Sequence, residues 1–502
     1  MKGSKMNKFK IFFTLILALP WLAFTLLANN KENETKPIFQ ATRVSRSVQL
    51  TGKLDDPLWK EGKPISLNYE VEPGENTPAP QQTLAMALYD NENLYFGFRC
   101  YDTNPDQIRA NLSERDKIWQ DDYVIIVLDT YGDYQRAYEF AINPFGVQGD
   151  LMRTSNNEDA SFDIIWNSAA AKNDSGWTAE FAVPFKSLKF ASKDEHNWLI
   201  HMIRTYPRAS RTQTSWMPID RNNPSFLSQS GILQGISGIE SGGSIEILPY
   251  AMGQQTGGLV DYENPSSGFH NNKMKGRMGG GIQYSPSPDL SFDAVINPDF
   301  SQVESDAAQI SVNTTFALYY PEKRPFFLTG QELLQTPMYY SRSINNPLGA
   351  GRVIGKSGSL SYMYLGAYDR NTPFDIPGEE ESDAFSSEIK SFSNIGRLRY
   401  DLGDEAYIGG MLFTRNFSNA HNYVAGFDWN YKFWNNYSFN GETFLSNTNE
   451  PNDASLFESQ RALGNTKHTA GFDGEKYYGT GFHAVLSRDA RDYNFGVVYN
   501  DF

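Results

Sequence analysis

From residue 273 onward the chain alternates. "KMKGRMGGGIQY" sets Met274, Met278, Ile282 and Tyr284 on one side of an extended strand, with Lys273, Lys275, Arg277 and Gln283 on the other. Leu290, Phe292, Ala294 and Ile296 alternate with Ser291 and Asp293; Leu398 and Tyr400 alternate with Arg397 and Arg399; Tyr493, Phe495, Val497 and Tyr499 share one side near the last residue. The sharpest case is "FDWNYKF", where Phe427, Trp429, Tyr431 and Phe433 are interleaved with Asp428, Asn430 and Lys432. In a soluble protein such an aromatic side faces a second sheet, and in a membrane protein it faces lipid. Aromatic excess on the apolar side, Lys and Arg held on the polar side within strands, and Gly inside strands predict the second arrangement, an antiparallel barrel with a wet lumen. The segments approach the roughly 9–11 residues a tilted strand needs to cross a bilayer. Roughly ten such strands follow residue 245. Asn435-Asn436 is placed for a hairpin turn. "VVYNDF" at the end reads either as the aromatic-terminated last strand of a barrel or as a strand cut in its middle, so a whole and a truncated barrel both stay open.

Two stretches break the rhythm. Pro298–Thr336 mixes acidic residues, "PEKRPFF" and the helix-like "GQELLQ", and is expected to fold inward as a plug or constriction; "PFDIPGEEESDAFSS" reads as an exposed acidic loop. Upstream, residues 37–239 read differently. "TLAMALYD", "LYFGFRC", "DYVIIVLDT", "YEFAINP", "GWTAEFAVP" and "NWLIHMIRT" are short, β-rich runs bounded by Asn, Asp, Gly or Pro, and several are apolar on both faces, as inner strands of a β-sandwich are. "GISGIESGGS", Gly235–Ser244, reads as the linker. The fold expected is therefore all-β: a sandwich over 29–240, then an outer-membrane-type barrel over 241–502.

The first residues supply an address. Lys2, Lys5, Lys8 and Lys10 precede an uncharged run from Ile11 to Ala28, which predicts a signal peptide over 1–28 and export; a retained membrane anchor is the rival reading, since Leu26 spoils a small-x-small cleavage site. The lone Cys100 excludes an internal disulfide and, within "LYFGFRC", reads as a small buried hydrophobe. A formal charge of -15 with no Lys/Arg stripe argues against a nucleic-acid partner. "AGRVIGKS", Ala350–Ser357, mimics a phosphate-binding loop, but "GSLSYMYLGAY" after it reads as a strand and not the required helix, so no nucleotide partner is expected. The six His residues have no metal-site spacing, and no G-x-S-x-G nucleophile turn occurs. Asp121 and Asp122 are adjacent in an extended stretch, so they point apart and cannot form a glycosidase pair across one cleft.

Several segments resemble a known pairing. "LTGKLDDPLWKEGKPI", "WQDDYVIIVLDT", "YEFAINPFGVQGDLM", "GWTAEFAVPFKSLKF" and "SGILQGISGI" resemble carbohydrate-binding module family 9, in the branch found on Gram-negative envelope proteins. "INPDFSQVESD", "YYPEKRPFFLTG" and "GRVIGKSGSLSYMYLGA" resemble the uncharacterised barrel-type domain, domain of unknown function 5916, that usually follows it. The resemblance implies a sandwich that binds sugar. Such modules stack aromatic faces on pyranose C–H groups and hydrogen-bond the hydroxyls with carboxylates and amides, which makes Trp119, Trp166 and Trp216 the candidate stacking residues and Asp121, Asp122 and Arg204 their polar partners. Trp59 and Trp177 read as packing residues. The resemblance also implies that one of Asp121 and Asp122 could hold a structural Ca²⁺; no other cofactor is expected and no catalytic residue is assigned.

The reading that follows is an exported carbohydrate-binding protein of the Gram-negative outer membrane or cell surface, engaged in polysaccharide capture or catabolism, with carbohydrate and outer-membrane lipid as partners. A secreted O-glycosyl hydrolase with a soluble β-rich second half is the alternative. A structural envelope protein without a ligand is the third.

Overall fold

The computed structural model describes residues 36–502 apart from 155–157, 161, 240–242, 262–263, 299–321, 323, 335, 337, 377–382, 387, 404, 435, 457–467, 470 and 502. The expected signal peptide, most of the expected inward segment and the middle of the acidic loop lie outside the described residues. Ile38–Phe502 is one compact unit, and it is all-β: among the described residues the only α-helix is the four-residue turn Pro325–Leu328. No described helix is long and apolar enough to cross a membrane, which leaves crossing by strands untouched.

The six runs singled out in the first half are strands, Thr83–Tyr89, Asn93–Tyr101, Tyr123–Asp129, Arg136–Ile142, Gly176–Pro184 and Glu195–Pro207. They fall into two layers joined by Ile38–Arg43, whose first half pairs parallel with Ile232–Gln234 and whose second half pairs parallel with Ala87–Tyr89. Between the layers lie Phe96, Phe98, Val124, Ile126, Phe140, Phe181, Trp177 and Trp198, all close to fully buried. Continuously apolar strands are needed because further apolar clusters cover the outer faces: Leu54, Leu58 and Trp59 pack over Met86 and Leu88, and Ile118 and Leu227 over Ile125 and Val127.

One carboxylate explains why two of the quoted motifs occur together. Glu180, fully buried in "GWTAEFAVP", accepts hydrogen bonds from the backbone N–H groups of Thr51 and Gly52 and, at 2.8 Å, from the Trp59 indole of "LTGKLDDPLW". Gly52 has φ +81°, and a Cβ there would lie 2.7 Å from the Ala170 backbone carbon, so glycine is required twice over. Asp56 caps the turn Pro57–Glu61 through the Leu58 N–H and also takes both arms of Arg46 at 2.8 and 2.9 Å.

The expected linker is shorter than its composition suggests. Gly235, Ile236 and Ser237 finish the strand Gly231–Ser237, and Ser244 opens the next one. Gly235 takes φ +96° where the pairing with Glu195–Pro207 shifts register, so this glycine serves a bulge in the sheet.

Beyond it, eleven strands from Ser244–Gln254 to Phe495–Asp501 pair in sequence order as an open antiparallel sheet. Two small ribbons, Gly257–Leu259 with Phe269–Asn271 and Pro373–Ile376 with Asp383–Ser386, extend its connections. No pairing joins the first and last strands among the described residues. The hairpin Phe433–Tyr437 turns at Trp434, whose φ is +49°; Asn435 lies outside the described residues.

The two faces of this sheet are inverted relative to a soluble one. Met278, Ile282, Tyr284, Phe292, Ile296, Leu398, Tyr400, Leu412 and Phe427 are exposed, whereas Ser291, Asp293, Arg352, Arg397, Asp428 and Asn430 are buried. In "FDWNYKF" the rings form an outward row, Phe427 to Trp429 at 6.2 Å and Tyr431 to Phe433 at 6.0 Å, while Asp428 turns inward to Arg397. "AGRVIGKS" lies in the strand Pro347–Ser357, as its surroundings predict, and Arg352 there pairs with Asp293 at 2.9 Å.

Two bodies cover the polar face. The described part of the expected inward segment lies on it: Phe327, Leu333 and Leu334, with Ile344 from beyond that segment, pack on Met363, Leu365, Ile395 and Met411, and Arg397 donates to the Leu333 carbonyl. The sandwich also contacts this side. Arg136 pairs with Glu332 at 2.5 Å, Asp133 with Lys356 at 2.6 Å, Ser225 donates to Glu405 at 2.5 Å, and Arg399 reaches Gln135.

Candidate functional site

The six predicted residues do not share one surface. Trp166 is 3% exposed and stacked on Phe181 with centroids 5.4 Å apart and planes 7° from parallel. Trp216 is half-buried against Phe39 at 5.9 Å. Trp119 is half-buried in a different cluster, edge-on to Tyr123 at 5.6 Å and lying over Gly149. A ring stacked inside the core offers no face to a sugar, and of the three only Trp119 and Trp216 are more than marginally exposed.

Asp122 and Arg204 are brought together, but in a closed network. Arg208 bridges Asp122 at 2.8 Å and Asp102 at 2.7 Å, and Arg204 lies 3.4 Å from Asp102 while donating to the Tyr101 carbonyl at 2.7 Å. Asp122 and Arg204 are fully buried. Burial pushes the Asp122 carboxyl above its usual value, against the pull of Arg208. Four charges from three segments thus close one end of the sandwich core, and removing a single partner would leave a buried charge uncompensated.

Asp121 points the other way, as expected of adjacent residues. Its carboxylate accepts from the Asn111 side chain at 2.6 Å and from Asn143 Nδ2 at 2.9 Å. Asn143 in turn accepts, through Oδ1, from the backbone N–H groups of Phe145 and Val147 at 3.0 Å each. These bonds shape the tip between the strands Arg136–Ile142 and Gln148–Thr154, where Gly146 adopts φ +78°. The product is an aromatic ring held out on a braced turn: Phe145 is 46% exposed, with the Lys172 ammonium 4.9 Å from its centroid and Asn111 and Leu112 exposed on the neighbouring loop. Lys172 is fixed by donating to the Ile108 carbonyl at 3.1 Å. An exposed ring flanked by an amide and a cation is the chemistry a pyranose needs, one face for C–H groups and donors for hydroxyls. Phe145 was absent from the predicted set, and its signal is local: an aromatic in "NPFG" sits at a turn tip, where it has no core to fill.

For metals, Glu450, Asp473 and Glu475 bring one carboxylate oxygen each within 4.8 Å of one another. Glu450 already accepts three backbone N–H groups, from Asp473, Gly474 and Glu475, and the Tyr477 hydroxyl at 2.9 Å, which makes the group a clasp for its own loop. Asp121 and Asp122, the positions considered for Ca²⁺, are surrounded by N–H donors, with a guanidinium against Asp122.

Comparison with known proteins divides the chain at the same place. Residues 50–220 match the family described as carbohydrate family 9 binding domain-like, and residues 247–353 match a domain of unknown function, DUF5916. No curated protein matches. Among solved structures, a family 9 carbohydrate-binding module from Caldicellulosiruptor kristjanssonii in complex with cellotriose is similar at 14% identity and TM-score 0.30, over 40% of this chain and 96% of that one. Its complex with glucose gives 14% and 0.31 over 40% and 98%. A protein from Bacteroides uniformis ATCC 8492, described as a candidate carbohydrate binder, gives 12% and 0.34 over 40% and 99%.

Proposed function

We propose that this is an exported carbohydrate-binding protein of the Gram-negative cell envelope, whose sandwich holds a glycan and whose second half sits in the outer membrane as all or part of a β-barrel, serving polysaccharide capture. The match of residues 50–220 to a carbohydrate-binding family supports the first half of this reading. The observation that carries the second is the inverted sheet: Tyr400, Leu412 and Phe427 face out while Arg352, Arg397 and Asp428 face in. A contiguous apolar surface spread over many strands is far beyond what monomeric soluble proteins expose, and hydrocarbon is the medium that removes its cost.

On the sandwich, Phe145 is the stacking face, with Asn111 and Lys172 as hydroxyl partners and Asp121 as the brace beneath. Trp119 is the only predicted tryptophan near this end with part of its ring open, and it shares the hairpin's support through Gly149. The signal-like run before residue 29 supports export.

Two experiments test the halves separately. The full chain, refolded into detergent, is screened on a glycan array; binding that is weakened in Phe145→Ala supports the platform, and an array without a hit removes the carbohydrate reading. The same protein is then transferred to buffer without detergent. A monodisperse monomer there would overturn the membrane reading and leave the sugar result standing.

A further inference from the structure

Between the sandwich and the polar face of the large sheet lies a cavity of about 190 Å³. It is built from both bodies: Tyr131, Gln135 and Lys189 come from the sandwich, Asp289, Lys356 and Tyr407 from the sheet and its connections. Most of its charges are already matched. Arg136 has Glu332, Lys356 has Asp133 and Asp401, Arg397 has Asp428, and Arg399 has Asp401.

Among the described residues, three polar groups have no such match. Lys189 makes no ion pair, and its ammonium donates only to Ser285 Oγ at 3.1 Å. Burial draws that ammonium below the usual lysine range. Gln135 is 6% exposed, and its Nε2 is buried without a hydrogen-bond partner. Asp289 also has no ion pair and accepts a hydrogen bond from its neighbour Ser287. A buried amide donor left unpaired costs about 1–3 kcal/mol, so a native structure keeps one where something else satisfies it.

We propose that this cavity is a second carbohydrate site, taking one neutral monosaccharide-sized ring between the sandwich and the sheet. The geometry selects the class. Lys189 and Gln135 offer donors, Asp289 offers an acceptor, and the Tyr131 and Tyr407 rings, backed by Arg136 and Lys356 and by Arg399, line the walls; hydroxyl groups both donate and accept, so a polyol satisfies all three at no net charge. A carboxylated sugar would meet Lys189 favourably but bring a second negative charge to Asp289. A cavity of this size holds several waters at roughly 30 Å³ each, or one pyranose in their place. The proposal rests on the carbohydrate reading and extends it: a sugar taken up at Phe145 would have a second station on the polar face of the sheet.

The test is glucose titration of the full chain in detergent by calorimetry, with glucuronate as the charged probe. Variants are Phe145→Ala, Lys189→Met, the nearly isosteric Asp289→Asn, and Phe145→Ala combined with Asp289→Asn; protease resistance certifies that each is folded. The expected result is residual glucose binding in Phe145→Ala that falls at least tenfold when Asp289→Asn is added. Glucose binding that Phe145→Ala weakens and that adding Asp289→Asn leaves unchanged, with Asp289→Asn and Lys189→Met alone like the parent, overturns the second site and leaves the sandwich reading intact. Glucuronate bound tenfold more tightly than glucose in Phe145→Ala overturns the neutral-sugar assignment. Absence of glucose binding in every variant overturns the proposal, and the glycan array then decides the sandwich reading on its own.

Discussion

Leu412→Arg separates a lipid-facing sheet from a water-facing one by magnitude alone. Leu412 lies in the middle of the strand Ala406–Phe417, is 51% exposed, and is flanked across the ladder by Gly396 and Ala425, so an arginine there meets no steric obstacle. In water the substitution exchanges a half-exposed leucine for a charged side chain and should change stability by no more than about 0.5 kcal/mol. Facing hydrocarbon near the bilayer midplane, the same arginine costs roughly 2–4 kcal/mol. The difference is a factor of about 10 or more in the folding equilibrium, since each 1.4 kcal/mol is about tenfold. The assay is urea-dependent folding of the full chain into phospholipid vesicles, followed by heat-resistant migration in a gel and by tryptophan fluorescence. Met411→Arg, next in sequence but 6% exposed on the covered face, serves as the geometric control, because it must disturb packing against Leu333 and Phe413 in either medium. A Leu412→Arg protein as stable as the parent in vesicles would refute the assignment of hydrocarbon to this face.

Three further outcomes follow from particular contacts. Phe145→Ala should weaken glycan binding by about 1–2 kcal/mol, roughly tenfold, with the thermal transition unchanged, because the ring is exposed and its loss opens no cavity; equal affinity in a titration would remove Phe145 from the site. Glu180→Leu strands two backbone N–H groups and the Trp59 indole, at about 1–3 kcal/mol each, and should destabilise the sandwich by several kcal/mol, whereas Glu180→Gln keeps one acceptor oxygen and should lose less; denaturant midpoints read by Trp59 fluorescence decide. The Arg46 guanidinium holds the Asp56 carboxyl well below the usual carboxylate range. With its folded value lowered, Asp56 contributes stability that is present above its unfolded value, near 4, and is lost as pH falls through the folded one. Arg46→Ala should therefore flatten the acid limb of a stability-against-pH curve below about pH 4 and leave its alkaline limb unmoved.

The parts of this structure that were readable in advance are those in which one residue reports its own surroundings. A strand places neighbours on opposite faces whatever else the chain does, so "FDWNYKF" announces an aromatic face and a polar face before either has a partner. The sandwich strands are readable for a different local reason, as short β-rich runs bounded by turn residues. The site was harder because its chemistry is shared with the core. A tryptophan suits a sugar because it is large, flat and apolar, and the same properties put Trp166 against Phe181. Likewise, Asp122 and Arg204 are polar residues in an apolar setting, which suggests a ligand until Asp102 and Arg208 arrive from distant segments to neutralise them. Contacts separated by about a hundred residues leave no local trace.

The same distinction sharpens what the inverted sheet demands. Its buried charges are matched pairwise, Arg352 with Asp293 and Arg397 with Asp428, and the arginines also donate to the Thr329 and Leu333 carbonyls of the segment lying on them. That polar side therefore needs no membrane to explain it. The apolar side has no such internal account: Met278, Leu398, Leu412 and Leu445 are each more than half exposed and lie on four different strands. Scattered exposed leucines are ordinary in any protein, but a sheet that covers its charged residues together with one apolar cluster, and leaves aliphatic residues of many strands on its open face, departs from the assignment that water imposes. Only an apolar medium or an apolar partner of matching extent makes that departure stable, and Leu412→Arg tells the first from a surface that water tolerates.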